Sequence, residues 1–247
     1  MVDGAVVVAA AGVAAGGLVQ SATGFGFALV AAPLVTAAFG PVEAVPTVTV
    51  VSLVVSALTL AGEGRRPAVL GRSAVLLIGA GVPGMALGAV ILARAPEDVL
   101  KVAVAVVVTV SVVAVTRTPR ARVQRDPSAY SGVGVGLLAG LLATTSGVNG
   151  PPLLIHLRRA GAGAMEMRDT LAVIFLASGV LIVAVLAVGD TLHLRTEVVL
   201  LGVAAAIGQG LGRLAFAALD GHRETAMRCV LALSVAVATV PAIQALG

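Results

Sequence analysis

The chain has 247 residues, 59% hydrophobic and only 11% charged, with a mean hydropathy of +1.09. Soluble domains are usually about 25% charged and about 45–50% apolar. The composition therefore argues against a water-soluble enzyme, and against a soluble domain on one anchor, because the apolar excess runs along the whole chain. The net charge of +4 comes mainly from Arg clusters between apolar runs, a pattern of topology-setting loops and not of a nucleic-acid surface.

In chain order, the first apolar stretch runs from Gly4 to Phe39 and is interrupted by Gln20-Ser21-Ala22-Thr23-Gly24-Phe25-Gly26-Phe27. The N-terminus lacks a basic region and a cleavage site, so no removable signal peptide is expected. Three predicted spans follow, about Ala44–Ala61, Ser73–Ala93 and Val99–Val115, each near the ~20 residues a helix needs to cross a bilayer. After an Arg-rich linker around Thr118–Pro127, a second apolar stretch, Tyr130 to Leu157, is interrupted by Thr144-Thr145-Ser146-Gly147-Val148-Asn149-Gly150-Pro151-Pro152. Spans at Thr170–Val188, Val198–Leu219 and Thr225–Leu246 complete the chain. Each break places polar, Gly or Pro residues where a membrane helix should be most apolar. Such backbone must be buried in protein or line a wet cavity.

The two stretches belong to a doubled pattern. At an offset of 123 residues, Thr23-Gly24 falls on Ser146-Gly147, Glu43 on Glu166, Thr47 on Thr170, Arg72 on Arg195 and Gly79 on Gly202. One further residue of offset places Gly84 and Gly88 on Gly208 and Gly212, a spacing that allows close helix packing. The expected architecture is an all-α polytopic membrane protein of two structural repeats, 1–123 and 124–247. Each repeat is a broken or re-entrant helical hairpin plus three transmembrane helices.

Arg and Lys in short loops bear on orientation. If each broken segment crosses once, the repeats are parallel and the basic loop residues divide almost evenly. If each is a re-entrant hairpin, the repeats are inverted. One side then collects Arg65, Arg66, Arg72, Arg117, Arg120, Arg122, Arg125, Arg158, Arg159, Arg168, Arg223 and Arg228, and the other keeps Arg94, Lys101 and Arg195. That bias favours inversion with both termini outside. The leg Ala28–Phe39 agrees: its 12 residues span about 18 Å at 1.5 Å per residue, half a bilayer. A single tilted, broken helix is the alternative.

Inverted repeats with helices broken near the midplane are a transporter plan. In each hairpin the returning leg starts at the break, so two helix N-termini, each equivalent to about half a positive charge, point into the protein. Asn149 or Gly150 can cap the second, with Pro151 at an early position, and Ser21 or Thr23 can cap the first. Gly24, Gly26 and Gly147 allow close backbone approach. With Gln20, Ser21, Thr23, Phe25, Thr144, Thr145, Ser146, Asn149 and Gly150, they form a candidate anion site that needs no Lys or Arg. Gln209, between Gly208 and Gly210 inside a span, is the best polar candidate outside the breaks. Ser, Thr and Gly also simply kink and pack membrane helices, which is the plain structural alternative.

The run Gly17-Leu18-Val19-Gln20-Ser21-Ala22-Thr23-Gly24-Phe25-Gly26-Phe27-Ala28-Leu29-Val30-Ala31-Ala32-Pro33-Leu34 resembles the first signature of the TauE/SafE sulfite exporter-like permeases. Gly140-Leu141-Leu142-Ala143-Thr144-Thr145-Ser146-Gly147-Val148-Asn149-Gly150-Pro151-Pro152 resembles the second. The resemblance covers the whole chain in length, duplication and span spacing. It implies a bacterial inner-membrane carrier for sulfite, sulfonates or related organosulfur or carboxylate anions. The chain departs from the family's Gly-x-Gly-Gly form at Phe27 and Asn149.

The remaining ionisable groups do not form a catalytic constellation, and no enzyme activity or cofactor is expected. Glu43, Glu166, Asp169 and Arg213 lie near predicted interfaces, with Arg213 snorkelling to the cytoplasmic side. His156 lies near the cytoplasmic face beside Arg158 and Arg159. Cys229, the single cysteine, excludes an internal disulfide and reads as a packing residue. The expected partners are a small anionic substrate and the lipid bilayer, with a proton or another cation as the candidate coupling ion and no nucleic acid. The oligomeric state is open. A passive anion channel and a non-transporting membrane subunit are the rival functions.

Overall fold

The computed structural model describes residues 3–62, 64–117 and 129–218. Among these residues the chain is all helical. The helices are α1 (Gly4–Thr23), α2 (Phe27–Phe39), α3 (Pro41–Ala61), α4 (Gly71–Arg94), α5 (Glu97–Arg117), α6 (Ala129–Ser146), α7 (Gly150–Arg159), α8 (Ala164–Val188) and α9 (Val198–Ala218). Five of them, α1, α3, α4, α5 and α8, are long and apolar enough to cross a membrane. The predicted span Thr225–Leu246, Cys229 and the linker Thr118–Pro127 lie outside the described residues.

α3, α4, α5 and α8 extend beyond the predicted spans. α3 starts at Pro41, three residues before the apolar run, with a proline in its first turn, where the missing N–H costs nothing. α8 starts at Ala164, and its first turns hold Glu166, Arg168 and Asp169. Apolar runs mark the part of a helix that suits lipid, while the helix itself continues into polar surroundings. The two legs of the first stretch differ in length. α1 is unbroken for 20 residues, about 30 Å at 1.5 Å per residue, and its return leg α2 has 13.

Close backbone approaches fix the helix directions. Ideal Cβ atoms at Gly12 and Gly16 would meet Leu34 and Phe27, so α2 folds back antiparallel on α1. His156 of α7 lies beside Gly132 near the start of α6, so this pair folds back too. α1 packs most extensively against α9, and α4 against α6. A Cβ at Gly208 would lie 2.0 Å from the Ala14 carbonyl oxygen, and one at Gly212 would lie 2.7 Å from that of Leu18. A Cβ at Gly84 would lie 2.1 Å from the Leu137 oxygen, and one at Gly88 would lie 2.6 Å from that of Leu141. Both pairs are therefore parallel. Lipid is as apolar as the side chains it would replace, so such association relies on close van der Waals packing at small residues.

α3 and α8 pack against each other in opposite directions. Arg65, just beyond α3, bonds Asp169 at the start of α8 (2.7 and 3.1 Å). Leu53 packs on Gly179 near the middle. Glu43 at the start of α3 meets Arg195 beyond the end of α8 at 2.9 Å. α3 and α8 begin at Pro41 and Ala164, 123 residues apart, as do α2 and α7 at Phe27 and Gly150.

The parallel pairs generate a test. Gly140→Ala and Gly208→Ala should each destabilise the folded protein by about 1–3 kcal/mol, the cost of overpacking, because a Cβ there would lie 2.1 and 2.0 Å from backbone oxygen. Gly79→Ala and Gly134→Ala meet nothing within 4 Å and should be neutral or slightly stabilising. Thermal unfolding of the four variants in detergent checks this; equal loss in all four would refute the packing account.

Candidate functional site

Both helix breaks rest on glycine conformation. Gly24 caps α1 with φ +77° and its N–H bonds the Gln20 carbonyl at 2.8 Å. Gly26 precedes α2 with φ +102°. In the second break Gly147 has φ +73°, and its N–H bonds the Ala143 carbonyl at 3.1 Å. These backbone conformations favour glycine over every L-residue.

The caps differ from the sequence expectation. Gln20 supplies the first: its Oε1 accepts the Phe27 N–H at 3.1 Å from seven residues away. Ser21 instead donates to the Leu18 carbonyl at 2.7 Å. Thr23 donates to the Val19 carbonyl at 2.9 Å, contacts the Phe25 carbonyl and accepts the Phe25 N–H at 3.3 Å. Both residues still lie within α1, so their hydroxyls return to their own helix. Asn149 holds the N-cap position of α7, but its side chain makes no capping bond. Pro151 and Pro152 follow directly, so two of the first N–H groups that a helix start usually offers do not exist in α7.

The two breaks meet at one cavity of about 40 Å³. A buried water needs roughly 10–15 Å³, so the space suits about three waters or a small oxyanion. Gln20, Phe25, Gly26, Gly147, Asn149 and Gly150, all expected from the sequence, line it. So do Thr49, Ser52 and Ser56 of α3, and Phe175, Gly179 and Ile182 of α8. None of the lining residues carries a charge.

Seven other expected residues are not among those lining the cavity: Ser21, Thr23, Gly24, Thr144, Thr145, Ser146 and Gln209. Thr145 and Ser146 donate to the Leu141 and Leu142 carbonyls, each at 2.8 Å. Thr144 bonds across to the Met85 carbonyl at 3.0 Å, joining α6 to α4 beside Gly88. Gln209 Nε2 donates to the Val55 carbonyl at 3.2 Å and to Thr59 Oγ1 at 2.8 Å, joining α9 to α3. Sequence reasoning missed the α3 hydroxyls. Thr49, Ser52 and Ser56 recur at intervals of three and four, one face of a helix, and that spacing was the available signal.

Cations lie closer to the breaks than expected. The aliphatic stem of Arg168 packs on Gly24, where a Cβ would come within 2.5 Å of its Cγ. An Arg stem therefore reaches the first break, although the expected anion site needed no Lys or Arg. Arg213 reaches the end of α3, as snorkelling implies, and donates to the Leu58 carbonyl at 2.6 Å, where the helix dipole is negative. Two ionic clusters cap the α3–α8 pair. At one end Asp169 accepts from Arg65 and from the Ala68 N–H (2.7 Å), while Thr170 Oγ1 accepts the Leu70 N–H (3.0 Å). At the other, Arg195 bonds Glu197 and Glu43 and stacks 4.4 Å from the Phe39 ring centroid. Arg195 holds the Glu197 carboxyl below its usual range, chiefly by hydrogen bonding. Among the described residues no group of His, Cys, Asp and Glu could hold a metal ion.

The family model of the sulfite exporter TauE/SafE matches residues 8–240, nearly the whole chain. The chain belongs to this family. It is therefore a multi-pass membrane protein of a family of transporters of sulfur-containing anions, and not of an enzyme family. Neither the curated proteins nor the solved structures offer a match.

The Gln20 cap generates the second test. Gln20→Leu leaves the buried Phe27 N–H without its acceptor and should destabilise the protein by about 1–3 kcal/mol. Thr145→Val, whose hydroxyl serves only its own helix, should cost less than half as much. Denaturant unfolding in detergent compares the two, and a larger loss in Thr145→Val would refute the assignment.

Proposed function

We propose that this exporter-family member is a secondary carrier, moving sulfite, a sulfonate or a related organosulfur or carboxylate anion across the bacterial inner membrane by alternating access. The observation that carries the reading is the single cavity where both breaks meet beside the middle of α3 and α8. The N-termini of α2 and α7 begin at its wall, and their dipoles favour an anion where no lining side chain is charged. The donors differ in kind. α2 keeps N–H groups beyond the one bound by Gln20, whereas α7, starting Gly-Pro-Pro, contributes field more than hydrogen bonds.

Alternating access needs two related halves. The antiparallel course of α3 and α8, and the parallel pairs α1–α9 and α4–α6, support repeats of inverted orientation, 1–123 and 124–247, with α1–α2 and α6–α7 as re-entrant hairpins. The ionic clusters at the two ends of α3–α8 would then lie at opposite faces of the membrane.

Proteoliposomes loaded with sulfite or a short sulfonate test the activity. Uptake of labelled anion should saturate and be driven by counterflow from unlabelled anion inside. Single-channel currents without counterflow would replace the carrier by a channel, and absence of both flux and binding would reject transport. Orientation is read separately, with cysteines at Arg66, Arg122, Arg159 and Arg223 in a Cys229→Ser background. All four should be protected from an impermeant reagent added outside. Labelling at Arg159 and Arg223 alone would establish parallel repeats.

A further inference from the structure

This inference rests on the carrier reading and concerns how the anion lies in the cavity. Ser52 and Ser56 of α3 occupy the places that Phe175 and Gly179 hold in α8, at the same offset of 123 residues, and all four line the cavity. Two corresponding helices thus give the cavity a hydroxyl side and an apolar side.

The α3 hydroxyls are not equivalent. Thr49 donates to the Val45 carbonyl and Ser52 to the Thr49 carbonyl, each at 2.7 Å. A helical serine usually returns its hydrogen in this way, to the carbonyl three or four residues back. Ser56 does not. Its Oγ is buried without a hydrogen-bond partner in a residue only 1% exposed. A buried hydroxyl left unpaired carries its full desolvation penalty, so a position in a cavity wall points to a ligand in the cavity as its partner. On the α8 side Gly179 leaves room that Leu53 fills, and the Phe175 ring packs against Gly150 at the start of α7.

We infer that Ser56 is a direct ligand of the transported anion, donating its hydroxyl hydrogen to an anion oxygen, and that Phe175 meets the substituent on the other side of the central atom. The oxyanion faces α3 and the substituent faces α8. Ser56 then acts on every substrate alike, while Phe175 sets the permitted substituent length.

Calorimetric titration of the purified full chain with sulfite, methanesulfonate and propanesulfonate tests this. Ser56→Ala should weaken all three by about 10- to 100-fold, the scale of one hydrogen bond to a charged group. Ser56→Thr should restore binding, and Thr145→Val, whose hydroxyl lies off the cavity and bonds its own helix, should stay within about two-fold of the parent. Phe175→Ala should tighten propanesulfonate relative to sulfite. Equal effects of Ser56→Ala and Thr145→Val overturn the assignment of Ser56, and an equal change for all three anions in Phe175→Ala overturns that of Phe175. Parent protein that binds none of the three overturns sulfite and sulfonates as the substrates, on which this inference rests.

Discussion

Everything at the centre of this protein follows from the cost of unpaired backbone in hydrocarbon. An uninterrupted helix meets that cost by itself; a broken one exposes amide and carbonyl groups that lipid cannot satisfy. The chain breaks helices twice, and at each break nearby groups take up part of the load. Gly24 and Gly147 turn back onto carbonyls of the helix they end, Gln20 takes the first amide of α2, and the second break removes two amides altogether with Pro151 and Pro152. Both breaks open on one small cavity, where Ser56 leaves a buried hydroxyl without a partner.

The rest of the fold holds that cavity in place. Glycine lets α1 approach α9, and α6 approach α4, until backbone touches backbone. Such contacts tolerate little sliding, because interiors packed to this density resist small displacements. α3 and α8 are joined differently, by a mid-helix contact and ionic clusters at their ends. The partly exposed Arg195–Glu43 pair contributes little stability by itself, whereas the Asp169 carboxylate at the other end is buried and also holds the Ala68 N–H. The molecule therefore combines two helix pairs in close backbone contact with a central pair joined by side-chain contacts at its middle and ends.

Much of this was legible in the sequence because its signals are local. Apolar runs located the helices, and Gly-rich interruptions located both breaks, with Gly24, Gly26 and Gly147 all at positive φ. The roles of the hydroxyls were not legible. Ser21, Thr145 and Ser146 look like donors to a ligand, yet each stands where a carbonyl of its own helix lies closer than the cavity does. Ser56 looks like ordinary span filling and is the one left unpaired beside the cavity. Which way a hydroxyl turns depends on helix rotation and on neighbours a hundred residues away. The stem of Arg168 on Gly24 is the same kind of fact, a contact between segments that composition cannot pair.

The crossed pairing of α1 with α9 also bears on how the chain is made. The ribosome must add about 175 residues between the end of α1 and the start of α9, roughly 9–35 s at 5–20 residues per second. During that interval the face of α1 that carries Gly17 and Ser21 waits for α9, which later closes on it. α4 waits a much shorter time for α6. Assembly thus has a built-in order, in which α1 meets α2 early and closes against α9 late.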